Sequence, residues 1–154
     1  MIDRHLGRCL ANAAWALTVA TALWGDVSPR SRDSFEVRVP EGWRGADRLM
    51  LLVKGVSLPK NRPVVFELYA TDRAGDDLML GSYGVVAESD TARGRWTLEV
   101  FQVNVTRQLR RWLEERPEEK TVRIRLEPVD GSRSPIHDLD WTARSVEVKA
   151  IRNR

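Results

Sequence analysis

Short stretches in which hydrophobic and polar residues alternate make up most of the chain from residue 34 onward. Phe35, Val37 and Val39 alternate with polar neighbours before Pro40, a pattern typical of a strand with one buried face. Residues 49–53 are instead continuously apolar, which predicts a central strand covered on both faces. The predicted strands cover residues 35–39, 49–53, 64–70, 78–87, 96–102, 122–128 and 146–151.

Glycine and proline residues separate these strands. Gly75 lies in the turn 72–77, and because glycine readily adopts a positive φ this turn predicts a hairpin. Pro59 and Pro63 predict a break before the next strand. After a further turn at 90–94, period-two spacing places on one strand face Trp96, Leu98, Val100 and Gln102.

A helical pattern interrupts the strands once. Asn104 or Thr106 is expected to cap this short helix, and Pro117 to end it. Its apolar face is formed by Leu109, Trp112 and Leu113. The predicted fold is therefore mainly β, an antiparallel β-sandwich of about seven strands with one short helix. We assign residues 34–154 to this domain, 27–33 to a linker and 1–26 to an N-terminal hydrophobic helix.

The N-terminal segment carries no charge from Cys9 to Gly25. It fits a signal peptide with a cleavage site at Ala20-Thr21-Ala22, and it equally fits a membrane anchor at the short end of the roughly 17 to 25 residues that a spanning helix needs. A soluble helix packed on the sandwich is a third alternative. An anchor leaves the globular domain outside the cytoplasm, unless it inserts in the opposite orientation, and cleavage makes the protein secreted or periplasmic. The candidate membrane residues are Leu10, Trp15, Leu17, Val19, Leu23 and Trp24.

Charge is mixed along the chain, with 25 Lys and Arg against 22 Asp and Glu. No basic block is present, so we expect no nucleic-acid binding. The arginines are expected to be scattered over strand faces, where they keep the domain soluble or weakly attract an acidic partner. The single cysteine, Cys9, cannot form an internal disulfide.

The order of the strands resembles the C-terminal domain of tyrosinases and plant polyphenol oxidases, which is known by its Lys-Phe-Asp-Val strand. Here that strand is Val65-Phe66-Glu67-Leu68, with Val65 in the place of the lysine. It follows a strand ending in Lys54-Gly55-Val56, and it precedes a Gly81-Ser82-Tyr83 step. A helical segment, a strand ending in proline and a closing strand then follow at 103–113, 122–128 and 146–151.

The resemblance implies a β-sandwich that covers the copper pocket of a catalytic domain, here as a stand-alone protein. We therefore expect a noncatalytic, exported accessory domain that acts by protein-protein contact, with a copper oxidase of the tyrosinase type as its partner. No residue matches the family's pocket-blocking side chain by motif. The candidate contact residues lie in two exposed loops: Arg73, Asp76 and Asp77 in one, and Lys60 and Arg62 in the other.

Two other functions remain open. A membrane-anchored structural subunit of a larger complex would use the N-terminal segment among other spanning helices. A carbohydrate-binding module would need exposed aromatic rings, for which the candidates are Trp43, Trp96 and Trp141.

Catalytic chemistry is not expected. His5 and His137 are too few imidazoles for a dicopper centre, and no nucleophile has a base nearby in sequence. His137-Asp138-Leu139-Asp140 is interpreted as a solvated loop above Trp141 rather than a metal site. The acidic turn at residues 72–77 lacks the spacing of a calcium loop. We predict no enzyme activity, no metal and no cofactor.

Overall fold

The computed structural model describes residues 33–89 and 93–153. The predictions for the N-terminal segment and for most of the linker lie outside these residues. The strands are β1 (Ser34–Arg38), β2 (Arg48–Pro59), β3 (Val64–Thr71), β4 (Asp77–Val85), β5 (Arg95–Asn104), β6 (Thr121–Val129) and β7 (Ser145–Ile151). Within these described residues the only α-helix is α1 (Thr106–Glu115), and a 3-10 turn covers Trp43–Gly45.

The strands form two antiparallel sheets, which confirms the predicted fold class. One sheet has four strands in the order β1-β6-β3-β4, and the other has three in the order β5-β2-β7. β3 and β2 are thus interior strands, each paired on both sides. The predicted hairpin over residues 72–77 joins β3 to β4, and Gly75 has a φ of +91° in its turn.

The core lies between the sheets and is centred on aromatic rings. Phe66 of β3 lies 6.1 Å from Phe101 of β5 and 5.0 Å from Trp141, measured between ring centroids. Tyr83 of β4 stacks on Phe101 at 4.2 Å. These contacts join both sheets and the segment before β7 into one core, because each aromatic residue belongs to a different part of the chain.

The central position predicted for residues 49–53 is confirmed, because β2 lies between β5 and β7, but the predicted cover on both faces was wrong. Leu49, Leu51 and Val53 have no exposed surface, whereas Met50 and Leu52 on the other face are half-buried. The strand is also longer than the apolar run, since β2 has 12 residues. Its outer face carries apolar side chains that no other layer covers completely, and these make the run look continuous.

The inward-facing positions of β2 change parity at Gly55. Val53 and Val56 are both fully buried, although they are three residues apart. Gly55 between them has a φ of +63°, which interrupts the regular alternation. On the paired strand β5, Val100 lies opposite Lys54, next to Gly55. The prediction that Val100 shares a face with Trp96 and Leu98 was wrong there, because Val100 is 51% exposed and the neighbouring Phe101 is buried.

Helix α1 buries the predicted face, formed by Leu109, Trp112 and Leu113, and it ends before Pro117. The predicted cap was wrong in detail. Val105 occupies the cap position, while Asn104 Oδ1 accepts hydrogen bonds from the backbone N–H and the hydroxyl of Thr106. Thr106 Oγ1 also accepts the N–H of Leu49 at 2.9 Å. The start of α1 is therefore fixed to the start of β2.

We predict that substitution of Gly55 by alanine destabilises the fold by about 1–3 kcal/mol. The alanine would have to adopt a positive φ, and its Cβ would lie 2.9 Å from Cβ of Arg144. Urea unfolding measures the change in the free energy of unfolding.

Two matched substitutions separate these causes. Gly75→Ala shares the positive φ but has no neighbour within 4 Å, so it should cost only about 1 kcal/mol. Gly131→Ala meets neither problem and should be nearly neutral. A Gly55→Ala protein as stable as Gly131→Ala would contradict the assigned role of Gly55.

Candidate partner-contact surface

The two predicted contact loops lie at opposite ends of β3. The loop containing Lys60 and Arg62 leads into this strand, and the turn containing Arg73, Asp76 and Asp77 follows it. The eight residues of β3 span about 23 Å at a rise of about 3.3 Å per residue. The predicted residues therefore do not form one surface, and each end of the sandwich is a separate candidate.

The cations of the 59–62 loop are held by intramolecular partners. Lys60 Nζ lies 3.0 Å from Glu88 Oε2 and 4.7 Å from the centroid of the Trp96 ring. Arg62 Nη1 lies 3.0 Å from Asp138 Oδ1. A partner that bound these cations would have to compete with those contacts.

The turn at the other end of β3 projects charged side chains into solvent. The Arg73 side chain is 91% exposed, and its Nε lies 3.7 Å from Glu119 Oε1. Asp76 is also exposed. Asp77 differs, because its carboxylate accepts hydrogen bonds from the Thr71 hydroxyl and from Arg125. We call residues 72–77 the hairpin tip.

The hairpin tip is braced by Asp72. Asp72 Oδ1 accepts the backbone N–H groups of Ala74 and Asp76, both at 2.9 Å, and its Oδ2 accepts Arg116 Nη2 at 2.9 Å. The hydrogen bond from the Asp76 N–H, followed by the one from Arg116, holds the pKa of Asp72 below its ordinary value. Arg116 in turn lies 4.8 Å from the ring centroid of Trp112 in α1. The tip is thus exposed yet attached to the helix.

A shallow polar cleft lies beside the hairpin tip, with a volume of about 120 Å³. Its lining carries both signs of charge, from Glu36, Asp72, Arg73, Glu119 and Arg123. Trp112 supplies one apolar wall. The mixture of charges fits contact with a polar protein surface better than enclosure of an apolar ligand.

Sequence reasoning missed an ion pair on the outer face of the four-stranded sheet, between the buried Glu67 and the Arg133 side chain, which is 66% exposed. Glu67 is only 6% exposed although it points away from the core. One carboxylate oxygen accepts the Tyr69 hydroxyl at 2.5 Å, and the other accepts Arg133 Nε at 2.7 Å. Alternation along β3 predicts the outward direction of Glu67 but not its cover, because Arg133 lies 66 residues away in sequence.

Arg133 reaches Glu67 from a turn with a defined shape. Asp130 Oδ1 accepts the backbone N–H groups of Ser132 and Ser134 and the Ser132 hydroxyl. Arg133 has a φ of +64°, which is uncommon for a residue with a side chain. This conformation directs the guanidinium back over the sheet.

The hydrogen bond between Tyr69 and Glu67 shifts the pKa values of both groups in opposite directions. The hydrogen bond from Tyr69 is the main cause that lowers the pKa of Glu67, and burial opposes it. The same hydrogen bond raises the pKa of Tyr69 to about 12. Near neutral pH the carboxylate is therefore ionised and the phenol is protonated. Neither group is poised to exchange a proton, so the cluster is suited to fixing the sheet.

The other residues considered for chemistry are dispersed or buried. Within residues 33–89 and 93–153, no three His, Cys, Asp or Glu side chains are close enough to share a metal ion. Asp138 and Asp140 pair with Arg62 and Arg95. Trp43 and Trp141 are 8% and 3% exposed, so neither is available to stack on a sugar ring. Among the described residues, no helix has the length and apolar content to cross a membrane.

We predict that Arg133→Ala lowers the free energy of unfolding by about 1–3 kcal/mol, because it leaves the Glu67 carboxylate buried without its cation. Arg123→Ala is the matched control. It removes an exposed arginine that lies 3.9 Å from an exposed Glu36 on the same sheet, and it should cost less than about 0.5 kcal/mol. Urea unfolding of both proteins makes the comparison.

Acidification gives an independent check on this network. Because the folded-state pKa of Glu67 is lowered from 4.5, its stabilisation is fully present above that pH and is lost as the pH falls through the folded-state pKa. The stability difference between the wild type and Glu67→Gln should therefore shrink on acidification. A difference that stays constant down to strongly acidic pH would contradict the ionised pair.

Comparison with protein-family models finds no match, and no curated protein matches the chain. The solved structures that are similar to it include two of a latent aurone synthase. One is a recombinantly expressed latent aurone synthase (polyphenol oxidase), with 17% sequence identity and a TM-score of 0.51 over 80% of this chain and 25% of that chain. The other is the latent aurone synthase from a natural source, with 18% identity and a TM-score of 0.51 over 89% of this chain and 28% of that chain.

Because the sequence identity is low, these comparisons show similarity of fold alone. The chain spans about a quarter of the length of the polyphenol oxidase chains, 25% of one and 28% of the other. The fold of the described residues is thus similar to part of a polyphenol oxidase, as a partial tyrosinase-like domain would be.

Proposed function

We propose that this chain is a noncatalytic accessory domain that acts by protein-protein contact, with a copper oxidase of the tyrosinase type as its partner. The observation that carries the proposal is the likeness of the sandwich to part of a polyphenol oxidase chain, at a TM-score of 0.51. In this proposal the matching part is the C-terminal covering domain, and the present chain covers the copper pocket of a separate enzyme.

The strand that carries the sequence resemblance supports this assignment through its structure. Phe66 lies in the aromatic core, and the adjacent Glu67 is buried on the opposite face, where it pairs with Arg133. A strand with an aromatic residue followed by an acid therefore has a structural purpose on each face. Val65, which stands in the place of the family's lysine, is half-buried on the outer face beside Val129 and Gly84.

The hairpin tip is the element best suited to reach a partner. It combines an exposed Arg73 and Asp76 with a turn that Asp72 and Arg116 hold in one conformation. A rigid projecting loop loses little conformational entropy when it binds. The 59–62 loop is less suited, because its cations already have partners.

Export of the domain belongs to the same proposal. It depends on residues 1–26, either as a cleaved signal peptide or as a retained anchor. The uncharged stretch from Cys9 to Gly25 also favours a second candidate function, that of a membrane-anchored structural subunit. In that case the sandwich would contact other subunits of a membrane complex.

We predict that the full chain binds a tyrosinase-type copper oxidase lacking its own covering domain and slows its oxidation of a phenol. The double substitution Arg73→Glu, Asp76→Lys should weaken inhibition about tenfold or more, since it reverses both projecting charges of the tip. Phenol oxidation is followed by absorbance, and complex formation by size-exclusion chromatography.

Arg62→Glu, Asp138→Lys is the matched control at the opposite end of β3, because it also reverses two opposite charges and leaves the net charge unchanged, and it should inhibit as the wild type does. No binding by the wild type would contradict the copper-oxidase proposal. Purification of the native protein, with Met1 intact, as part of a multi-subunit membrane complex would instead support the second function.

A further inference from the structure

Ion pairs are unevenly distributed over the described part of the chain. Most of its lysines and arginines lie within 4.0 Å of a carboxylate. Between residues 33 and 153, leaving aside 90–92, the cations without such a partner are Arg38, Arg44, Arg48, Arg93, Arg107, Arg110, Lys120, Arg144 and Arg152.

Several of these arginines meet at one end of the three-stranded sheet. Arg48 begins β2 and pairs there with Ile151, the last residue of β7. The next residue, Arg152, packs against the turn before β2, since a Cβ added to Gly42 would lie 2.8 Å from its Nη2. Arg44 in the same turn lies 4.6 Å from the ring centroid of Trp43.

Helix α1 adds cations to the same place. Arg110 Nη2 donates a 2.6 Å hydrogen bond to the carbonyl oxygen of Ala46, directly after the 3-10 turn. Arg107 lies three residues earlier, and residues at this spacing are neighbours on one helix face. We call Arg44, Arg48, Arg107, Arg110 and Arg152 the arginine end. The expectation that arginines are scattered over strand faces does not hold for this group.

Little negative charge compensates the arginine end. Glu41 and Asp47 are the acids beside it in sequence, so two carboxylates stand against five guanidinium groups, and Asp47 Oδ2 accepts the N–H of Asn153 at 2.6 Å. The Nε of Arg110 is buried and has no hydrogen-bond partner. Clustered cations with few counter-charges produce a positive local potential that attracts anionic groups.

The charges of α1 also run against its own dipole. Its first turn contains no acid and its last turn no base. Arg107 lies near the amino end, while Glu114 and Glu115 lie at the carboxyl end. The helix dipole favours the reverse order, so Arg107 lowers the stability of the helix, whereas Arg116 at the cap partly offsets the two glutamates. A distribution that costs stability is better explained by binding than by folding.

We propose that the arginine end binds an acidic patch on the surface of a partner protein. Guanidinium groups form paired hydrogen bonds with carboxylates, and these arginines have no such partner within the described chain. The inference rests on the proposed function for the class of partner, and it adds the surface and the chemistry that the partner presents.

A protein fits this surface better than a membrane or a nucleic acid. Glu114, Glu115, Glu118 and Glu119 follow the arginines along α1 and the turn after it. A uniformly anionic surface would attract the arginines and repel these glutamates at once. A protein surface can instead place acids opposite one group and bases opposite the other.

The arginine end and the hairpin tip belong to the same end of the sandwich. α1 starts beside Arg48 and Ala46, and Arg116 after its last turn binds Asp72 of the tip. Ten residues of helix separate the two by about 15 Å. One partner can therefore contact both.

The test measures binding of the full chain to immobilised peptides at about 0.1 M salt. The probe is a peptide in which a glutamate block is followed by a lysine block. Arg44→Gln, Arg48→Gln, Arg107→Gln should weaken binding about tenfold or more. The matched control, Arg62→Gln, Arg93→Gln, Arg144→Gln, removes the same charge from arginines away from this end and should weaken binding less than about twofold.

The thermal unfolding midpoint of the variants separates binding from folding. Removal of Arg107 relieves an unfavourable charge at the start of α1, and loss of the Arg44 contact with the Trp43 ring acts in the opposite direction, so the midpoint of the arginine-end variant should stay within a few degrees of that of the wild type. Its loss of peptide binding then reflects the surface alone.

Three results would overturn the inference. Equal losses in the two triple variants would assign the attraction to net charge. An absence of peptide binding by the wild type would remove the acidic-patch site. The wild type could also bind phosphatidylglycerol vesicles or duplex DNA more tightly than it binds the peptide. If only the arginine-end variant lost that binding, the surface would be assigned to lipid or nucleic acid.

The oxidase assay distinguishes failure of this inference from failure of the proposed function. If the oxidase binds the arginine-end variant as tightly as it binds the wild type, the inference fails and the accessory function stands. If no oxidase binds the wild type while peptide binding still depends on the arginine end, the surface stands and the oxidase is the wrong partner.

Discussion

The opposite orientations of Phe66 and Glu67 on β3 are the constraint on which the rest of the structure depends. Phe66 contacts Phe101 and Trp141 between the sheets, while Glu67 is covered on the outer face by Tyr69 and Arg133. A slip of one residue would move the carboxylate into the aromatic core and the ring to the surface. Both faces of β3 therefore specify one register against its neighbours β4 and β6.

The position of the candidate surface follows from this register. The end of β3 places the hairpin tip, and β2 begins and β5 ends where α1 starts and crosses toward the tip. Hydrogen bonds at both ends of the helix, Thr106 with Leu49 and Arg116 with Asp72, fix α1 between the arginine end and the tip. A mixed-charge surface is thus held by a rigid core, as an accessory domain that binds another protein requires.

The sequence predicts correctly those elements that depend on residues close together in the chain. Alternation predicts the strands and the sandwich, Gly75 predicts the hairpin, and helical spacing predicts α1. The apolar run at 49–53 wrongly predicts cover on both faces, because Met50 and Leu52 are half-buried on the outer face of their sheet. The sequence does not show that no further layer of the described structure packs on that face. The parity change at Gly55, the cover of Glu67 and the arginine end all join segments far apart in sequence. The sole local signal for the arginine end is a helix start that has arginines and no acids.

The central claim is that the end of the sandwich crossed by α1 contacts the partner. Amide hydrogen exchange of the full chain, alone and with a tyrosinase-type copper oxidase, tests it directly. The account predicts slower exchange on binding at residues 42–48, 72–77, 106–111 and 150–153. Protection confined to the opposite end, at residues 59–63 and 137–142, would contradict it.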